Sequence, residues 1–166
     1  MGDERIEIEK PQGHHCFACG TDNPIGLNLQ FYRAGDTVCS EITLKKVHEG
    51  WEGIGHGGIV TTLLDEVMSW SLMYTKRAFL VTRNIQIKYI RPVLIGTPLK
   101  VTGRLVDDSI PPRIKSEGEI RDDKGGLLAR GVAEYVLLPK EKFFQIPEGY
   151  RAEMEALFKR FGEKKE

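Results

Sequence analysis

Residues 57–76 read GGIVTTLLDEVMSWSLMYTK. No proline interrupts them, and Val60, Leu63, Leu64, Val67, Met68, Ser71 and Leu72 recur at helical spacing. The stretch is more apolar all round than a surface helix should be, so it predicts one long central helix wrapped on most sides. Lys76 and Arg77 stand at its C-terminal end, where positive charge complements the helix dipole. Four strand-like runs follow in close succession: Phe79 to Tyr89, Leu99 to Val106, Ile114 to Ile120 and Leu127 to Leu138. The turns between them are too short for parallel crossovers, which need a dozen or more residues, so the strands are expected to be antiparallel.

Upstream, Leu27, Leu29 and Phe31 alternate with polar residues, and Val38, Ser40, Ile42 and Leu44 do the same after a turn at Gly35-Asp36. A period of two marks half-buried strands. Residues 1–10 read as a loosely held charged arm, and Pro11 to Pro24 as a loop rich in Gly, His, Cys and Asn. From Pro147 onward, Tyr150, Met154, Leu157, Phe158 and Phe161 form an apolar stripe of a short amphipathic helix. The expected fold class is α+β: an antiparallel sheet wrapped round a long central helix, plus a short C-terminal helix. Residues 1–26 form the arm and Cys-containing loop, 27–139 the main domain, and 140–166 the C-terminal helix and tail.

The whole chain has 166 residues, 40% hydrophobic and 29% charged, with 24 basic and 24 acidic side chains. That length suits one domain, and the apolar content opposes disorder. A zero formal charge argues against a dedicated nucleic-acid binder, which carries a clustered positive excess. No apolar run approaches the roughly 20 residues of a membrane helix, and the charged N-terminus lacks the apolar core of a signal peptide. Three cysteines do not make a disulfide framework. A cytoplasmic protein is expected.

Two features in the central helix point to chemistry. The loop Gly53-Ile54-Gly55-His56-Gly57-Gly58 matches G-x-G-x-x-G. A dinucleotide fingerprint requires a preceding apolar strand in a βαβ unit; His48-Glu49-Gly50-Trp51-Glu52 supplies none. The glycines instead let a substrate approach unpaired amides at the helix entrance, or make a tight loop without a ligand. Asp65 lies in an otherwise apolar stretch, where an unpaired carboxylate is costly. It is either a paired or exposed surface acid, or a nucleophile or general base in a dry cleft. Glu66, about 100° round the helix, can be solvated.

Gly57 and Asp65 are eight positions apart, which is roughly 12 Å along one helix. A polarising amide and an attacking group must each come within about 3 Å of the same carbonyl centre. Acting together, they therefore require two antiparallel helix copies and a homo-oligomer of at least two chains.

The run HGGIVTTLLDEV (residues 56–67), followed by VTRNIQIKYIRPVLIGTPL (residues 81–99), resembles the hotdog-fold acyl-CoA thioesterases of the PaaI-like family. CFACGTDNPIGLNLQF (residues 16–31) is similar to the carboxy-terminal-modulator-protein type within it. The resemblance implies paired protomers, dimeric or tetrameric, and hydrolysis of acyl-CoA thioesters without a cofactor. It implies that the Gly57 amide polarises the thioester oxygen, that His56 shapes the loop, that Asp65 of the other subunit attacks or activates water, and that Thr82 orients water or acid. Gly58 and Asn84 are placed beside the substrate. Several PaaI-like enzymes carry an asparagine about six positions before the histidine; this chain has Gly50 there, and Glu49 does not replace it.

Arg91 and Arg113 are candidate contacts for the phosphates of coenzyme A, or are solvated turn residues. Trp51, Trp70, Met73, Tyr74 and Phe79 either line an acyl pocket or fill the core. Cys16 and Cys19 could supply half of a tetrahedral zinc site, with a histidine of His14-His15 as a third ligand. A second pair is absent, so no metal is assigned and an ordered loop is the simpler reading. A non-catalytic acyl-CoA-binding or regulatory module, a zinc or redox module and a hotdog dehydratase are the competing functions; no hydratase pattern of histidines is present.

Overall fold

Residues 4–163 are described by a computed structural model. Among them, seven strands and two α-helices run in the order β1 (Ile6–Ile8), β2 (Phe31–Ala34), β3 (Thr37–Thr43), α1 (Gly57–Lys76), β4 (Leu80–Tyr89), β5 (Pro98–Ile110), β6 (Arg113–Asp122), β7 (Leu127–Leu137) and α2 (Glu148–Glu163). The strands make one antiparallel sheet in the order β1-β2-β3-β5-β6-β7-β4. The sheet wraps α1, and its edges are β1 and β4.

The approach of α1 to the sheet depends on small residues. Gly103 of β5, Gly118 of β6 and Gly131 of β7 stand opposite one another in a single row. Met68 of α1, fully buried, lies over that row. A Cβ on Gly103 would meet the Val67 carbonyl oxygen at 2.8 Å and the Met68 Cα at 2.9 Å. A Cβ on Gly118 would meet the Met68 Cγ at 3.0 Å. A side chain at Gly103 would lift the helix off the sheet, and one at Gly118 or Gly131 would press on the Met68 side chain. Around this contact Leu63, Leu64, Val67 and Leu72 of α1 are completely buried against Val101, Ile114, Ile120 and Tyr135.

Helix α1 begins and ends where its sequence says it should. His56 is the N-cap, its Nδ1 accepting the Gly58 N–H at 2.9 Å. Arg77 closes it in the left-handed conformation (φ 52°), donating its N–H to the Met73 carbonyl. Helix α2 docks its stripe on the body: Phe158 packs edge-on against Phe79, and Phe161 lies 4.9 Å from the Tyr74 ring. Among the described residues, no helix is long and apolar enough to cross a membrane.

Two expectations need correction. Residues 1–3 of the expected loose arm lie outside the described residues, but Ile6 to Ile8 is a strand paired with β2, and Lys10 is buried. Its ammonium donates to the Cys19 and Leu29 carbonyls and to Asn28 Oδ1, satisfying all three protons. The expected strand at Leu27 to Phe31 joins the ladder only from Phe31. Leu27 and Leu29 are buried as expected, but Asn28 sits at φ 46° and the segment's amides bond the Cys-containing loop instead. Of the residues read as either pocket lining or core, Trp70, Tyr74 and Phe79 are buried in the core, and Trp51 is 82% exposed.

Gly103→Ala is expected to destabilise the protein by about 1–3 kcal/mol through overpacking, read as a lower urea midpoint. Gly149→Ala, where a Cβ meets nothing within 4 Å, is the control. Equal midpoints for the two variants would contradict the glycine-row account.

Candidate active site

The entrance of α1 presents one free donor. The Gly58 N–H is taken by His56, and the Ile59 and Val60 amides bond the His56 carbonyl. The Gly57 N–H makes no hydrogen bond to any described residue, and Gly57 is exposed. The Gly57 carbonyl is held from the other side by Thr61 Oγ1 and the Tyr89 hydroxyl, each at 3.0 Å, with 2.7 Å between those two hydroxyls. Tyr89 thereby braces the first helical turn from β4. Because His56 Nδ1 accepts, its neutral ring carries the proton on Nε2, directed away from the cap. Gly57 borders a shallow, mainly apolar groove of about 320 Å³ with Val60, Tyr89, Ile90 and Arg91.

The departure at Gly50 has a steric reason. A Cβ there would lie 3.1 Å from the His56 Cα, so the loop that presents His56 leaves little room for an asparagine. Glu49 is occupied within the loop, its Oε1 accepting the Gly53 N–H at 3.0 Å.

Asp65 is half-buried and held by two hydroxyls. Thr82 Oγ1 donates to its Oδ1 at 2.9 Å, and the Tyr135 hydroxyl donates to the same oxygen and to the Asp65 carbonyl, both at 3.0 Å. Oδ2 accepts no hydrogen bond from a described residue. Burial and the adjacent carboxylate drive the Tyr135 phenol far above its ordinary range, so it stays a donor. The geometry therefore brings Thr82 to Asp65. Tyr135 was not legible: in an alternating strand a tyrosine reads as an ordinary core residue.

Asn84 does not join this group. A bulge at Arg83 shifts the β4 register between Thr82 and Asn84. Thr82 pairs with buried Tyr135, whereas Asn84 pairs with Glu134 on the outer face, in a cleft with Arg83, Gln86 and Lys115. Arg91 and Arg113 are likewise separated. Arg91 donates to the Leu127 carbonyl at 3.0 Å, and Arg113 stands opposite Val136 at the far end of β7. That strand length corresponds to about 30 Å. Arg91 belongs to the Gly57 end, Arg113 to the Asp65 end.

Glu66 is not solvated. Trp70 Nε1 donates to its Oε1 at 3.0 Å, Cys16 Sγ lies 3.9 Å from that oxygen, and burial pushes the carboxyl up to about 7. Cys16, Cys19 and Glu66 form the one group of potential metal donors among the described residues. A hydrogen bond from Cys19 brings the Cys16 thiol down to about 5, and the same bond drives Cys19 up.

The thioesterase superfamily profile matches residues 52–107, the span from the loop before His56 through α1, β4 and into β5. Acyl-coenzyme A thioesterase 13 of Mus musculus is 27% identical, covering 59% of this chain and 71% of its own. Residues 52–107 are thus similar to the thioesterase superfamily. Verlamelin biosynthesis protein B of a Lecanicillium species is 28% identical, covering 69% of this chain and 57% of its own. Among solved structures, a thioesterase superfamily protein superposes with TM-score 0.69 at 26% identity, covering 74% of this chain and 60% of that one. The chain thus spans under two thirds of the length of the last two. The sheet wrapped on one helix is the hotdog fold.

A double-mutant cycle with Tyr135→Phe and Asp65→Ala, followed by urea unfolding, is expected to give a coupling of about 0.5–3 kcal/mol. Additive effects would contradict the hydrogen bond between the two side chains.

Proposed function

We propose that this chain hydrolyses acyl-CoA thioesters to a free acid and coenzyme A, in a site shared by two protomers. The observation that carries the reading is the division of labour along α1: an unpaired N–H at Gly57 and a braced carboxylate with one free oxygen at Asp65. They are too far apart on one helix to reach the same carbonyl. A two-fold axis between antiparallel copies would set Gly57 of one protomer beside the partner subunit's Asp65.

The free edge of β4 supports such pairing. The ten-residue strand pairs with β7 on one side only, and its other side lacks a strand neighbour among the described residues; with Val81, Tyr89 and the following Ile90 exposed, it makes an edge suited to association. The same axis would carry Arg91 toward the partner subunit's Arg113, joining the two cationic positions that one protomer keeps apart. Coenzyme A has phosphates for both. The substrate class agrees with the name of the mouse relative.

In the reaction, Asp65 Oδ2 attacks the thioester carbonyl or takes a proton from the water that does. The carbonyl electron pair moves onto oxygen, where the Gly57 N–H stabilises it. Collapse of this intermediate breaks the carbon–sulfur bond: where Asp65 has activated water, the free acid forms directly and the coenzyme A thiolate takes the proton from the Asp65 carboxyl; where Asp65 has attacked, the thiolate takes a proton from water, and a second water hydrolyses the Asp65 acyl anhydride to the free acid and restores the carboxylate. Thr82 and Tyr135, both on Oδ1, hold the carboxylate so that Oδ2 faces the substrate. His56 fixes the Gly57–Gly58 peptide through its cap bond.

Asp65→Asn is expected to fold and to lose thiol release across a panel of aliphatic and aromatic acyl-CoAs; full turnover in the folded variant would remove the mechanism. Gly57→Pro tests the donor separately. Proline suits the first helical position, and a Cβ there comes no closer than 3.5 Å to Tyr89. Loss of the N–H is expected to lower kcat about 10²–10³-fold, with the unfolding midpoint retained. Unchanged kcat would sink that role. Saturable acyl-CoA binding without thiol release in the wild-type protein would instead identify a binding module.

A further inference from the structure

Cys16, Cys19 and Glu66 come together about 100° round α1 from Asp65. We propose that these three side chains bind one zinc ion, which ties the Cys-containing loop to the central helix. The sequence alone offered the two cysteines and a neighbouring histidine; the fold replaces the histidine with a carboxylate 47 positions beyond Cys19. His14 is committed elsewhere, its Nε2 bonded to the Pro11 carbonyl at 2.9 Å and its ring set edge-on to Tyr150.

The donor atoms of the three residues all lie within 4.8 Å of one another. Tetrahedral zinc with Zn–S of about 2.3 Å and Zn–O of about 2.0–2.2 Å needs its ligand atoms about 3.5–3.8 Å apart. Cys16 Sγ and Glu66 Oε1 are already 3.9 Å apart, so the site closes by rotamer adjustment without backbone movement. Two thiolates and a tetrahedral arrangement favour zinc over oxygen-seeking cations such as magnesium or calcium. The fourth position is left for water.

The surroundings are built rather than incidental. The loop turns back after Cys19 through a Gly20 N–H to Cys16 carbonyl bond of 2.8 Å. A Cβ on Gly20 would fall 2.5 Å from the Cys16 nitrogen, so only glycine fits the turn. Leu27 and Leu29 amides bond the Phe17 and Ala18 carbonyls, and the Lys10 ammonium grips the Cys19 carbonyl from beneath. Trp70 Nε1 orients the Glu66 oxygen, the kind of supporting bond that metal ligands commonly have. Charge agrees as well. As zinc ligands the two cysteines would be thiolates, and with the Glu66 carboxylate they would carry three negative charges, which the dication and the nearby Lys10 ammonium neutralise.

Glu66 adjoins Asp65 in sequence, so a metal clamp here also fixes the rotation and register of α1 at the candidate catalytic carboxylate. The inference does not depend on the thioesterase reading, and its test uses no enzymatic assay. Untagged, reduced protein stripped by a chelator is titrated with zinc chloride, and separately with cobalt chloride. The expected result is one zinc per chain, a raised Tm, and a thiolate-to-cobalt charge-transfer absorption. Glu66→Gln should weaken zinc binding at least about tenfold, the Cys16→Ser Cys19→Ser variant should abolish the cobalt band, and Cys39→Ala should keep it. No saturable one-to-one binding by the folded wild-type protein would overturn the proposal whatever the variants do. Binding that survives the double cysteine change, or a Cys16–Cys19 disulfide formed in the presence of zinc, would overturn it equally.

Discussion

The contact between Met68 and the row Gly103, Gly118 and Gly131 governs the rest of the molecule. Sheets normally hold a helix away by the length of their side chains; here three strands present only backbone, and α1 lies directly on them. That depth determines what the following turns of the helix can touch. One turn before Met68, Asp65 reaches the Tyr135 hydroxyl and Thr82. On a neighbouring face, Glu66, held by Trp70, meets the Cys-containing loop. Two neighbouring acids thus acquire unlike surroundings because adjacent helical positions diverge by about 100°.

Much of this architecture was legible in the sequence, because the signals were local. The period of α1, the glycines and histidine at its entrance, and the alternating strands after it each depend on neighbours within a few residues. An acid inside LLDEVMSW announces itself by its cost. What escaped depends on partners distant in sequence. Tyr135 meets Asp65 from 70 positions away, and nothing in its own strand marks it. Glu66 looked solvent-facing until residues 16–19 were folded over it. The β1 strand carries only Ile6 and Ile8 as apolar residues, and its pairing comes from β2.

Two misreadings share a physical cause. Alternation of apolar residues at 27–31 reports burial on one side, not ladder bonding; the amides of Leu27 and Leu29 found carbonyls in a loop. In β4 the same inference fails in the opposite sense. A single extra residue at Arg83 reverses which side chains face α1, so Thr82 meets Asp65 while Asn84 faces outward. A bulge leaves no mark in composition, and family motifs read along the strand pass over it.

The proposed chemistry requires that one chain supply the amide and the other the carboxylate. The direct test is complementation between inactive chains. Asp65→Asn and Gly57→Pro chains carrying different tags are co-expressed, and the mixed dimer is compared with each variant alone. If sites are composite, a mixed dimer has one doubly damaged site and one intact site, and random pairing restores about a quarter of wild-type turnover. Mixed dimers no more active than either parent would contradict a shared site.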